Sequence, residues 1–138
     1  PASFRITRNN RFGVDYEFRI DDIIYNVEFF IKTNGADVLF SAKADNPTAL
    51  PTIELTGTGN QFKVLITVIE IIKQFIIESA SAVITFSAAK SEIVGDARPN
   101  VYRRLIKREI AKLSGDWSFK EKDTGRQIKF ALVNNDEI

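Results

Sequence analysis

The 138-residue chain has no cysteine, no histidine and no methionine. Without cysteine there is no disulfide framework, and no thiolate can serve as nucleophile or metal ligand. Without histidine, zinc and copper lose their preferred ligands, and Ser-His and Cys-His nucleophile pairs are excluded. A metal site would have to be built from carboxylate and carbonyl oxygens, as for magnesium or calcium. Neither an EF-hand loop nor a GxxxxGK[ST] loop occurs, so no metal is expected. Long uninterrupted apolar runs are lacking as well. Thr67, Glu70, Lys73 and Gln74 punctuate the most hydrophobic stretch, which excludes it as a membrane span. The opening PASFRITRNN lacks the apolar core of a signal peptide. Its Pro1 fits removal of an initiator methionine, so the chain is expected in the cytoplasm where it is made.

What is present describes one ordinary domain over residues 1–138. Hydrophobic residues make up 44% and charged residues 27%, enough to build a core inside a soluble surface. Phenylalanine occurs 11 times, so much of that core is aromatic. The formal net charge of +1 gives no bulk attraction to nucleic acid or membrane, and only a local patch could supply one.

The first half alternates with period two. FRITR (4–8), VDYEFRI (14–20), IIYNVEFFI (23–31) and DVLFSAKA (37–44) read as strands of an antiparallel meander. Asp21-Asp22 and Asn34-Gly35 are the expected hairpin turns. Val14, Tyr16, Phe18 and Ile20 share one face, and Asp15, Glu17 and Arg19 the other. A loop with two prolines (45–52) leads to a brief strand, IEL (53–55). Over 60–78 the β-branched residues favour a strand. Lys63, Thr67, Glu70 and Gln74, however, recur at steps of four, three and four, which predicts one narrow polar stripe on a helix buried on most sides. AVITFSA (82–88) reads as an interior strand able to lie parallel to the one before the helix. Pro99 opens a second helix running to about Leu113 and stopped by Gly115. Residues 117–122 and 127–133 then pair as a hairpin across Asp123-Thr124-Gly125, and the NNDEI tail is expected to fray. FSA occurs at both 40–42 and 86–88, which is too short to count as a repeat. The predicted class is α+β, a mixed and mostly antiparallel sheet with two main helices in the order β-β-β-β-β-α-β-α-β-β.

Two stretches carry candidate chemistry. In TGTGNQ, Gly57 and Gly59 sit just ahead of the first helix. They can form a tight strand-to-helix turn, or a nest in which Gly57, Thr58, Gly59, Asn60 and Gln61 hold an anion against the helix start. From Arg98 to Lys112, six cations (Arg98, Arg103, Arg104, Lys107, Arg108 and Lys112) stand against the single Glu109. That charge is either the solvated face of an amphipathic helix or a site for coenzyme phosphates, nucleic-acid backbone or an acidic protein surface. Glu54, Glu70 and Glu92 could each serve as a base, and no spacing singles one out. Trp117 reads as a core or rim aromatic.

The element order resembles the core of the GNAT-type N-acetyltransferases. GTGNQFKVL looks like the turn and helix entrance that hold the pyrophosphate of acetyl-coenzyme A in that family, and RPNVYRRL (98–105) looks like its later helix. The resemblance implies a GNAT-like fold, acetyl-coenzyme A as ligand and Tyr102 as the general acid that protonates the departing thiolate. The family pattern asks for Gln or Arg, two residues, Gly, one residue, then Gly or Ala. With Gly59 as the first glycine, Thr56 and Gln61 break it; with Gly57 first, Glu54 does. A relative with weak or absent catalysis is therefore the expectation. The combination TGTG, VLITVIEII and RPNVYRRLIKR is also similar to small proteins of tailed phages. That similarity implies a virion component or a host-protein-binding factor, located in the bacterial host or the virion. Self-association is compatible with either, and nucleic acid is the third partner class.

Overall fold

A computed structural model describes residues 2–43, 61–89, 98–123, 125 and 127–137. Seven strands, β1 (Phe4–Asn9), β2 (Gly13–Ile20), β3 (Ile23–Lys32), β4 (Gly35–Lys43), β5 (Val83–Ala89), β6 (Trp117–Asp123) and β7 (Gln127–Asn134), form one sheet in the order β1-β2-β3-β4-β5-β7-β6. Among the described strands, only β4 and β5 run parallel. Helices α1 (Gln61–Ser79) and α2 (Arg98–Ile110) complete a mixed α+β fold.

Alternation decides which face the helices cover. Tyr16, Phe18, Tyr25, Val27, Phe29 and Ile84 point inward and are buried, whereas Asp15, Glu17 and Glu28 take the other face. α1 packs on the inner face, with Phe75 stacked on Phe29 at a centroid distance of 4.0 Å. α2 lies on the same face. It shares a water-sized crevice with Ile69, Ile72 and Ile76 of α1 and Phe86 and Leu132 of the sheet. The described residues therefore make two layers, one sheet and one pair of helices, and they leave the opposite sheet face uncovered.

Local readings shift in three places. The β3–β4 turn is Thr33-Asn34, because Lys32 already pairs with Gly35. Gly35 is needed for close approach instead: a Cβ there would sit 1.7 Å from the Val83 carbonyl oxygen. Asp21-Asp22 does form the two-residue turn, with Asp21 at φ 55°. The expected polar stripe of α1 is not all solvated. Thr67 is fully buried, donating to the Lys63 carbonyl and accepting the Ala2 amide, each at 2.8 Å. The tail expected to fray is tied down through a 3-10 turn at Asn135–Glu137, where Asp136 accepts the Asp116 amide at 2.9 Å. The expected strand at 53–55 lies outside the described residues.

Candidate functional site

The sheet opens in its middle. β4 and β5 pair over four rungs, from Gly35↔Val83 to Val38↔Phe86, and no further. Both strands nevertheless continue. β4 stays paired with β3 as far as Ile24↔Lys43, and β5 stays paired with β7 as far as Ala89↔Gln127. From Leu39 and Ser87 onward the two strands therefore lack each other, and no described strand lies between them. An interior strand normally pairs on both sides, so the backbone groups along this seam require another partner.

The closed end is held by several contacts. The Asn34 carbonyl accepts the Ala82 and Val83 amides at 2.9 and 3.2 Å, which starts β5 beside β4. On the outer face, Thr85 donates to Asp37, which also pairs with Lys32. Burial pushes the Asp37 carboxyl up, but the hydrogen bonds from Lys32 and Thr85 and the charges of Lys32 and Lys129 outweigh it, leaving the group below its ordinary value. Asp37 stays ionised and clasps the two strands where they last touch.

The open end is lined by aromatics on its inner face. On one flank Phe18, Tyr25 and Phe40 stack in sequence at centroid distances of 5.0 and 5.7 Å. On the other, Phe86 and Phe119 both stack on Phe130, at 5.2 and 5.6 Å. Phe40 and Phe86 begin the two FSA tripeptides, which thus occupy opposite lips of the opening.

Both helices begin at this open end. α1 ends beside Asn34 at the closed end, where Phe75 lies over Phe29, the rung partner of Val38. Its first residue, Gln61, therefore lies toward the parting strands. α2 follows the end of β5 and returns to the start of β6, so it runs the same way. The first amides of each helix are unsatisfied within the helix and carry the positive end of its dipole.

Gln61 opens α1, but its side chain and the whole of Gly57, Thr58, Gly59 and Asn60 lie outside the described residues, as do Glu54 and Glu92. Arg98 and Tyr102 fall in the first turns of α2, with side chains likewise outside the description. The remaining cations do not converge. Arg103 is bound to Glu121 through two nitrogens at 2.8 and 2.9 Å, and the Lys107 ammonium stands 6.0 Å from the Phe119 ring centroid. Arg108 lies 3.4 Å from Glu109, and Arg104 is exposed.

Glu109, the lone acid of α2, is the organising charge between the helices. It is 5% exposed and accepts Lys73 of α1 and Lys112, each at 3.1 Å. Burial raises its carboxyl pKa, but the bonds and charges of those lysines outweigh it, so the group sits below its ordinary range. Burial lowers the Lys73 ammonium, and its bonds to Glu70 and Glu109 reverse the sign. Sequence spacing could not reveal this pair, whose members are 36 residues apart. Glu70, a candidate base, is engaged by Lys73 at 3.0 Å.

Among the described residues, no group of three or more acids is placed to hold a metal, and no helix is long and apolar enough to cross a membrane. No protein family, curated protein or solved structure matches this chain.

Proposed function

We propose that the seam between β4 and β5 receives the pantetheine arm of an acyl-coenzyme A in a GNAT-like domain whose acyl transfer is weak or absent. One observation carries this reading: the β4–β5 ladder stops after Val38↔Phe86 while both strands continue beside their outer partners. Pantetheine is an extended chain with two amide groups. Laid along the opening, it can supply the hydrogen bonds that each strand lacks there, in the manner of an added strand. The aromatic flanks at Phe40 and Phe86 supply apolar walls for the methylene segments. The two helix starts at the open end offer amides and dipoles of the sign that a pyrophosphate needs.

Binding is favoured over vigorous catalysis. Among the described residues, the two carboxyls with a resolved shift, Asp37 and Glu109, are both held ionised by cations, and neither is a base poised near neutrality. Tyr102 remains the proposed proton donor for whatever transfer occurs, by resemblance alone.

Thermal unfolding with and without acetyl-coenzyme A tests the reading. A ligand bound only to the native state stabilises it by about 2.7 kcal/mol at one hundred times its dissociation constant. The melting temperature should rise with coenzyme concentration, and Phe40→Ala should blunt the rise. No shift at millimolar coenzyme discards the proposal and leaves a non-catalytic partner-binding protein.

A further inference from the structure

We infer that the face of the β6–β7 hairpin which the described residues leave uncovered is a docking surface for the phosphodiester backbone of a nucleic acid, with Lys120, Lys122 and Lys129 as its phosphate contacts. The inference is independent of the coenzyme reading, which concerns the opposite side of β5.

The hairpin contains a pairing that one optimised only for stability would avoid. Lys122 stands directly opposite Lys129 in the β6–β7 ladder. Like charges at directly opposed positions destabilise a sheet. Lys120 lies two residues from Lys122 on the same strand and therefore on the same face. All three are exposed, and none forms an ion pair with a described carboxylate. The face belongs to the sheet side away from the helices, because Phe119 and Glu121 of β6 point toward α2, meeting Lys107 and Arg103.

Described acids are scarce around this cluster. The outward positions of β7 next to Lys129 are taken by Ala131 and Val133, and on β6 by Ser118. A described acid on that face, Asp37 of β4, is hydrogen-bonded to Lys32 and Thr85 and feels the charge of Lys129 without forming an ion pair with it. Glu121, on the other side of β6, is neutralised by Arg103. The N-terminal meander differs, since there Arg5 is matched by Glu17 and Arg8 by Asp15. In a chain of net charge +1, these three lysines therefore stand on one hairpin without a hydrogen-bonded counter-charge, and Lys129 meets Asp37 only through space.

The geometry suits a phosphate chain. Alternate residues of a strand are about 6.6 Å apart, near the separation of consecutive phosphates along one nucleic-acid strand. Lys120 and Lys122 can thus meet neighbouring phosphates while Lys129 reaches the second from across the ladder. β6 is also a sheet edge, so its outward backbone amides add donors along the same line. Around that edge, Lys107 of α2 extends the positive rim. No base-reading element accompanies the patch, so binding should be insensitive to sequence and steeply salt-dependent.

The test is fluorescence anisotropy of the full chain with a short labelled oligonucleotide, single-stranded and duplex, across a salt series. Wild type should bind at low salt. Lys120→Gln/Lys122→Gln/Lys129→Gln should weaken binding at least tenfold and flatten the log K against log salt slope by about 2, since each phosphate contact contributes about 0.7 to 0.9. The variant should melt no lower than wild type, because like-charge opposition has been relieved. Neutralising Arg11, Arg19 and Lys63 instead should leave affinity within twofold. The inference is overturned by wild type that fails to bind at low salt, or by a triple variant that binds as well. A variant that self-associates while wild type ignores nucleic acid would make the lysines guards of a bare sheet edge. Equal affinity for polyglutamate would assign the patch to an acidic protein.

Discussion

Gly35 is the residue on which the seam depends. It opens β4, pairs with Lys32 on one side and Val83 on the other, and leaves no space for a side chain. An added Cβ would collide with the backbone of Val83, and backbone cannot step aside as a flexible side chain can. Gly35→Ala should therefore cost about 3 kcal/mol, at the upper end of overpacking penalties, by prising β5 from β4 at the closed end. Chemical denaturation measures the loss. A near-neutral result would mean that the strands approach less closely than the Val83 contact implies. The glycine was visible in the sequence as a turn signal, but the reason for it was not. Asn34-Gly35 reads as a hairpin dipeptide, whereas the requirement comes from a strand 48 residues away.

At the scale of elements, the contact between α1 and α2 combines apolar packing with the Lys73–Glu109 pair. Removing Lys73 takes one charged hydrogen bond from the buried Glu109, which keeps Lys112 and Arg108, so Lys73→Met should cost about 2 kcal/mol. Lys73→Met with Glu109→Leu should return to within about 1 kcal/mol of wild type, because two apolar side chains fill the same space without desolvation. The pH dependence has two limbs. The folded Glu109 carboxyl lies below its ordinary 4.5, so its contribution is present above that value and is lost as pH falls through the lowered one. The folded Lys73 ammonium lies above its ordinary 10.5, so its contribution is present below that value and is lost as pH rises through the raised one. Denaturation midpoints measured across pH should show a plateau between the limbs in wild type, with both limbs flattened in the double variant. Unchanged limbs would place the pH sensitivity elsewhere.

Elements whose pattern is local were legible. The alternating runs 14–20 and 23–31 became β2 and β3 nearly residue for residue, and the four-three-four polar spacing outweighed β-branching to give α1. Helix α2 and the final hairpin appeared close to their expected bounds. Partners remote in sequence were not legible. The continuous apolar run at 82–88 says that an interior strand lies there, but not that β4 is its parallel neighbour or that β7 inserts between it and β6. The aromatic ladders and the opposed lysines depend on that same register. The repeated FSA carried a trace of the seam, since its two copies face each other across it, but three residues are too few to be read without the pairing.

For the whole molecule, the described sheet is open in its middle, and the proposed coenzyme would close it. Amide hydrogen exchange, read residue by residue, tests this most directly. On a strand paired along one edge only, alternate amides face the neighbour and the others face the gap. In the free protein, Gly35–Val38 should be protected, while alternate amides in 39–43 and 87–89 exchange fast. Saturating acetyl-coenzyme A should slow those same amides and few others. Uniform slow exchange in the free protein would mean that the chain already fills its own opening, and fast exchange that the coenzyme leaves unchanged would contradict the account.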